Sequence, residues 1–436
     1  MDDSTAPDAG SILSAIDAAA AHRPEGAVSL LCTTTEIRRR AQALLQRARA
    51  GGSACFTVDD AALPVAVAAV ANATRRRYPD GNIPFHSRWR HFEAGGTDRR
   101  ARLDELLGDV PKAVRARAQI DLAVVAVLLD AGAGPDWKYQ ESATGQSFGR
   151  SEGLGVASFH AFAAGLFSSD ADRPLQVDAV GLRALLTDKL AQAFQVSPAN
   201  PLVGLEGRAM LLRRLGETLA GYPAEYGPAG RPGGLFDLLA NTDSNEIPPT
   251  AMVQAHDILG TLLMTLNGIW PAGNTIGGLP VGDCWPLADA QGPGLSNGWM
   301  PFHKLSQWLT YSLLEPFRWA GVKVDGLERL TGLPEYRNGG LLLDTGVLRM
   351  RPAVAAAAGD RAWKAGDPCI VEWRALTVAL LDELAPRVRE RLGVTAEKMP
   401  LACVLEGGTW AAGRELAQRL RGGSPPLNIE SDGTVF

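Results

Sequence analysis

The chain has 436 residues, 46% hydrophobic and 21% charged, with a formal net charge of -5. This is the composition of an ordinary folded protein, long enough for one large domain or two ordinary ones. The acidic balance argues against a broad nucleic-acid-binding surface. No uncharged apolar run of about 18 residues is present to span a membrane, and MDDSTAPDAG at the N-terminus does not read as a signal peptide.

In chain order, apolar residues recur at spacings of three and four over 12–21, 34–50 and 61–75, which predicts helices. A Pro/Gly-marked aromatic segment covers 78–96. The apolar run 114–129 predicts a buried helix that ends at Asp130. The alternation and turn residues of 137–153 predict a short hairpin. Helical patterns resume over 154–167, 178–194 and 201–219. The Gly-rich stretches 221–234 and 271–301 read as ordered loops, because aromatics interrupt them. Two more helices fit 369–391 and 409–421, and the tail SPPLNIESDGTVF is expected to dock back on the body. Strand signals are too few for a parallel sheet. The expectation is a mainly α chain in one domain over 1–436, with a helical part to about 135 and a hairpin plus helical catalytic body from about 136.

The cysteines at 32, 55, 284, 369 and 403 are scattered and never spaced C-x-x-C. They read as small buried hydrophobes in a reducing cytoplasm, not as a disulfide framework. His86 and His91 are five apart, not the four that place two ligands on one helical face. No metal and no organic cofactor is expected.

Several segments carry candidate chemistry. Gly149-Arg150-Ser151-Glu152-Gly153 matches a nucleophile elbow in letters, but polar residues precede it, and Ser151 reads instead as the cap of a helix from Leu154. In Phe85–Glu93, His86, Arg88 and Trp89 form a set able to stack a planar group and hold an anion. Asp136 and Trp137 follow a Gly-rich turn, where an indole can wall a pocket. The segment 299–348 joins a helix bearing His303, Lys304 and Gln307 to Glu335-Tyr336-Arg337-Asn338 and Asp344, within Leu- and Trp-rich surroundings. Mostly apolar lining with a few converging polar groups is the composition of a ligand pocket. Glu372 and Arg374, and likewise Glu406 and Trp410, read as structural.

The strings IPFHSRWRHFEAGG, GRSEGLGVASFHAF, NPLVGLEGRAMLLRRLG, LPEYRNGGLLLDTGVL, VEWRALTVALLDELAP, LEGGTWAAGR and SDGTVF run nearly the whole chain. In them the sequence resembles the uracil-catabolism protein 4 family of the non-reductive uracil pathway. A more distant resemblance is to the queuosine salvage proteins, helical N-glycosidases similar to DNA glycosylases. Their Trp-containing turn and Gly-started helix are answered by Asp136-Trp137 and Glu152-Gly153-Leu154. Their Tyr-Lys-Arg-Ala-Gln string is answered by His303-Lys304-Leu305-Ser306-Gln307, and their Glu-Ile-Arg helix by Glu372-Trp373-Arg374. Their Asp-Tyr-Arg string, whose Asp is the catalytic acid, is answered by Glu335-Tyr336-Arg337. The carboxylate here is one methylene longer. The aromatic-rich base pocket of that family is replaced before Pro135 by small residues, so queuine is not expected as the base.

These resemblances imply an N-glycosidase of uracil catabolism that cleaves ribosylurea or its 5′-phosphate to urea and ribose or ribose phosphate. Glu335 would stabilise the oxocarbenium-like state, with Asp344 in reserve, and Asp136 would protonate urea. Lys304 and Arg337 would hold a phosphate. Tyr336, His303, Trp137, Trp89, His86 and Arg88 would line the substrate site. The partner is then a small ribosyl compound, with no nucleic acid and no membrane. Two other readings remain: a non-catalytic nucleotide-binding regulator, and an amidohydrolase acting on a ring-opened pyrimidine.

Overall fold

The computed structural model describes residues 19–130, 132–242, 245–270, 273–359 and 361–430. The helix expected over 12–21 falls almost wholly outside them. The architecture is mainly α. Every paired strand among the described residues belongs to a two-stranded ribbon.

Helix α1 (Thr34–Arg49) starts where Thr33 accepts the backbone N–H of Glu36, satisfying one free donor of the first turn. Helix α2 (Leu63–Arg77) has a proline in its first turn, where the missing N–H costs nothing, and ends in three arginines, which suit the negative end of the helix dipole. Helix α3 (Lys112–Leu128) is buried on every side from Ala118 to Leu128. A helix apolar all round belongs at the centre of a large fold, and α3 packs there against α4 (Arg150–Ala163) and against α7, below. The hairpin is present as Lys138–Glu141 paired with Gln146–Gly149.

Helix α5 (Leu205–Gly221) and helix α6 (Ala255–Leu266) follow. The pattern over 178–194 is realised as two short helices, Ala179–Arg183 and Thr187–Ala193. Helix α7 (Lys304–Ala320) lies against α3 and α6 and is buried without a break from Leu305 to Phe317. Helix α8 (Tyr336–Asp344), α9 (Pro368–Leu392) and α10 (Trp410–Arg421) complete the body. Helix α9 packs on α1 and α2, and α8 on α10. One apolar core runs through elements from both sides of residue 135. The tail docks as far as it is described: Trp363 N–H donates to Asn428 and Glu430 N–H donates back to Trp363, at 2.7 and 2.8 Å.

Two sequence expectations need correction here. Cys55 and Cys369 are not separate buried thiols. Their Cα atoms stand 5.5 Å apart and the sulfurs are bonded, tying the segment after α1 to the first turn of α9. Residues 314 apart in sequence meet because α1 and α9 pack side by side. Ser151 does not cap a helix from Leu154. Helix α4 begins four residues earlier, with Gly149 at its cap position. No helix among the described residues is long and apolar enough to cross a membrane.

Candidate active site

A cavity of about 220 Å³ opens where α2, α4, α7, α8 and α10 converge on the aromatic segment Arg88–Gly96. It is smaller than the roughly 300–1,000 Å³ of drug-sized ligand sites, a volume with room only for a small molecule. Two larger recesses, of about 670 and 520 Å³, lie elsewhere. The larger is lined by three arginines and four carboxylates and the other by two carboxylates, but neither lining includes a histidine or an aromatic ring. The smaller cavity is lined by the carboxylates of Asp130, Glu152, Glu335 and Glu406, the cations of Arg77, Arg90, Lys304 and Arg414, two imidazoles and two indoles.

Glu335 is the residue before the first turn of α8, in extended backbone (φ -107°). Its two carboxylate oxygens accept the N–H groups of Arg337 and Asn338, each at 2.7 Å. The α8 N-terminus therefore fixes the carboxylate in one orientation. Burial pushes its pKa up, against those two bonds and the nearby Lys304 ammonium, and the net direction is upward. Lys304 opens α7. A cation there opposes the helix dipole, so local helix energetics do not explain its presence. Its backbone N–H is held by Asp283 at 3.0 Å. Its ammonium has no carboxylate within 4.0 Å among the described residues, and burial lowers its pKa. Glu335 and Asp130 are the charges acting on it most strongly.

Asp130, one residue beyond the C-cap of α3, lines the same cavity. Burial raises its pKa, but Arg88, His91, Ser151 and Lys304 together outweigh burial and hold it below the ordinary carboxylate value. Arg88 is fully buried and binds Asp130 and the Ser151 carbonyl, both at 3.1 Å. Its guanidinium lies over the Trp308 ring. His91 meets the same indole edge-on at 5.8 Å. Burial, with Arg88 next, pushes His91 down to about 4, so it is neutral at physiological pH. Gly155 makes this crowding possible, because a Cβ there would stand 2.8 Å from that of His91. Ser151 lines the cavity, but its hydroxyl has no hydrogen bond to a histidine among the described residues, so no Ser–His–Asp relay is assembled.

Glu406 forms the third wall. It lies in a single π turn, Leu405–Thr409, which joins a short helix to α10. Such turns recur at functional sites. Its carboxylate accepts from Arg77 (2.6 Å) and Tyr78 (2.9 Å) and pairs with His86 (2.8 Å). Burial raises its pKa, yet His86 and Arg77 prevail and bring it to about 2. Gly408 lets the turn sit against α2, where a Cβ would lie 2.5 Å from the Val70 carbonyl oxygen. His86 stands between Trp308 and Trp410, with ring centroids 6.5 and 6.4 Å away.

Of the residues expected from sequence, the structure brings Glu335, Lys304 and His86 to the cavity, with Arg88 directly behind it. Tyr336, half-buried beside Glu335, lies under the Arg337 guanidinium. The others are placed elsewhere. Asp136 is exposed and outside the cavity. Asp344 sits at the opposite end of α8, bonded to Arg421 at 2.6 Å. Arg337 turns to the C-terminal segment and donates to the Gly423 carbonyl, so it does not pair with Lys304 as a phosphate clamp. Trp137 donates to Phe194 and stacks on its ring, and Trp89 donates to Ser312 against Trp319, so both indoles belong to the core. His303, left-handed at φ 49°, faces Leu31 and Cys284 instead of the cavity.

Sequence reasoning missed Asp130, His91, Trp308 and the role of Glu406. Asp130 carried one usable signal, an acid ending a long apolar helix. Glu406 carried another, two adjacent glycines inside a helical pattern.

Comparison with known proteins gives the family. Residues 30–436 match the family model described as "Protein of unknown function (DUF1688)". The chain belongs to the DUF1688 family. It is 41% identical over 422 residues to Protein urg3 of Schizosaccharomyces pombe, covering 94% of this chain and 99% of that one. It is 41% identical over 379 residues to Uracil catabolism protein 4 of Lachancea kluyveri, covering 81% and 85%.

Proposed function

We propose that this DUF1688 protein acts in uracil catabolism as an N-glycosidase that hydrolyses ribosylurea to urea and ribose. The names of its relatives support the pathway. The observation that carries the chemistry is the gathering of Glu335, Asp130 and Lys304 on the lining of one cavity, with the two carboxylates as the charges that act most strongly on the Lys304 ammonium.

Breaking C1′–N passes through an oxocarbenium-like state. Glu335, held rigid by α8, lies against the sugar, offsets the charge at C1′ and takes a proton from the attacking water. Urea leaves poorly as an anion, so its nitrogen must be protonated. Asp136 cannot reach it. Lys304 takes that role, because burial has already weakened its hold on the proton. Water adds its oxygen to C1′, the C1′–N bond breaks, and the proton from Lys304 ends on urea. Acid–base catalysis of this kind contributes roughly 10²–10⁴-fold.

The lining also supports the unphosphorylated substrate. Its four cations face four carboxylates, and three of those cations already hold carboxylate partners: Arg77 with Glu406, Arg90 with Glu315 and Arg414 with Glu152. Lys304 alone is uncommitted, which leaves little for a phosphate dianion. The test compares release of urea and reducing sugar from ribosylurea, its 5′-phosphate, uridine and UMP. Release from ribosylurea in preference to the other three is expected. No release from any of the four refutes the proposal, and binding without release would point to a regulator.

A further inference from the structure

We infer that the end of the cavity formed by Trp308, His91 and Asp130 is a subsite for a planar ureido or carboxamide group. This rests on the glycosidase reading and identifies where the leaving group sits. Trp308 is only 5% exposed, yet its indole N–H has no hydrogen-bond partner among the described residues. The Nδ1 atom of His91 is equally buried and equally without a partner. The Asp130 Oδ1 has only the Arg88 ion pair, and the Nε and Nη2 of Arg88 behind it are unpartnered. Buried polar groups in folded proteins are almost always paired. Trp308, His91 and Asp130 all line one cavity, so their unpaired atoms mark the positions a ligand would fill.

The chemistry of the unpaired atoms selects the ligand. An indole nitrogen can only donate, so it asks for a carbonyl oxygen. A carboxylate can only accept, so it asks for an N–H. A neutral imidazole offers one acceptor nitrogen, and the depressed pKa of His91 keeps it neutral. One C=O flanked by N–H groups in a single plane meets all three. The perpendicular set of His91 on Trp308, 89° between planes, gives the slot two walls at right angles.

The experiment is an indole ¹⁵N–¹H spectrum of the full chain, whose ten tryptophans each give one resonance. The Trp308 signal is assigned from Trp308→Phe, and the nine remaining signals report that this variant is folded. Urea is titrated below denaturing concentration, with tetramethylurea, which lacks N–H groups, and ribose as comparisons. The Trp308 resonance should shift saturably with urea and not with tetramethylurea. His91→Phe should weaken that binding about tenfold, the loss expected for one hydrogen bond. A shift with urea that never saturates, or a saturable shift with ribose in its place, overturns the subsite. Because the readout is binding, it is separate from turnover: a saturable urea shift without glycosidase activity would leave the subsite standing and remove the reaction.

Discussion

Replacing Glu406 by glutamine keeps the shape of the side chain and removes the charge that Arg77 and His86 surround. The carboxyl is held down to about 2 against an ordinary 4.5. At about 1.4 kcal/mol per pH unit, that difference is about 3 kcal/mol of stability at neutral pH. The residue is 5% exposed, so solvent screening removes little of it. Removing one partner of a buried pair gives a similar figure, about 3–5 kcal/mol. A chain of 436 residues unfolds with an entropy near 0.9 kcal/mol per degree. Glu406→Gln should therefore lower Tm by about 3–4 °C at pH 7. A depressed carboxyl stabilises above its unfolded pKa and loses that contribution as pH falls through its folded pKa. The gap between wild type and variant should thus be full above pH 4.5 and about half gone near pH 3. Calorimetry across that range is the assay. A variant as stable as wild type at pH 7, or a gap that widens on acidification, would refute the electrostatic account of this wall.

Three further outcomes follow from the same geometry. The His91 pKa is also lower folded than unfolded, so the unfolded chain takes up the proton first. Wild-type Tm should fall as pH drops from about 6.5 to about 4, and His91→Gln should flatten that slope in a thermal-shift series. Gly408→Ala places a methyl 2.5 Å from the Val70 carbonyl and 2.6 Å from the Thr74 hydroxyl, where backbone cannot yield. It should cost on the order of 3 kcal/mol by urea denaturation. Asp344→Asn loosens the Arg421 pair, outside the cavity, and should cost about 1 kcal/mol while leaving kcat/KM for ribosylurea within about twofold of wild type.

The fold was legible wherever apolar periodicity was strong. The pattern over 34–50 became Thr34–Arg49, that over 114–129 became Lys112–Leu128, and that over 369–391 became Pro368–Leu392. Pairings between distant segments were not legible. Phe56–Val58 meets Leu348–Met350, and Met252–Gln254 runs parallel to Lys323–Asp325. Three-residue strands carry no period that a sequence can show. The site was legible where its residues sit together in sequence, as with Lys304 and Glu335. It was not legible where distant elements supply the groups. Asp130, His91 and Glu406 come from three separate segments, and only the packing of α2, α3, α4 and α7 brings them to one cavity. The opposite error has the same root. Asp344 and Arg337 are neighbours of Glu335 in sequence, but helical geometry turns Arg337 toward Gly423 and carries Asp344 to the far end of α8.

The central claim is that Glu335 does chemistry at C1′ beyond capping α8. The most direct measurement is the rate of urea release from ribosylurea by wild type and by Glu335→Gln, with Tm recorded for both. Glutamine keeps an oxygen for the α8 N–H groups but loses the charge and the base. A fall of about 10²-fold or more in kcat is expected, with the protein still folded. Release by the folded variant at the wild-type rate would contradict it.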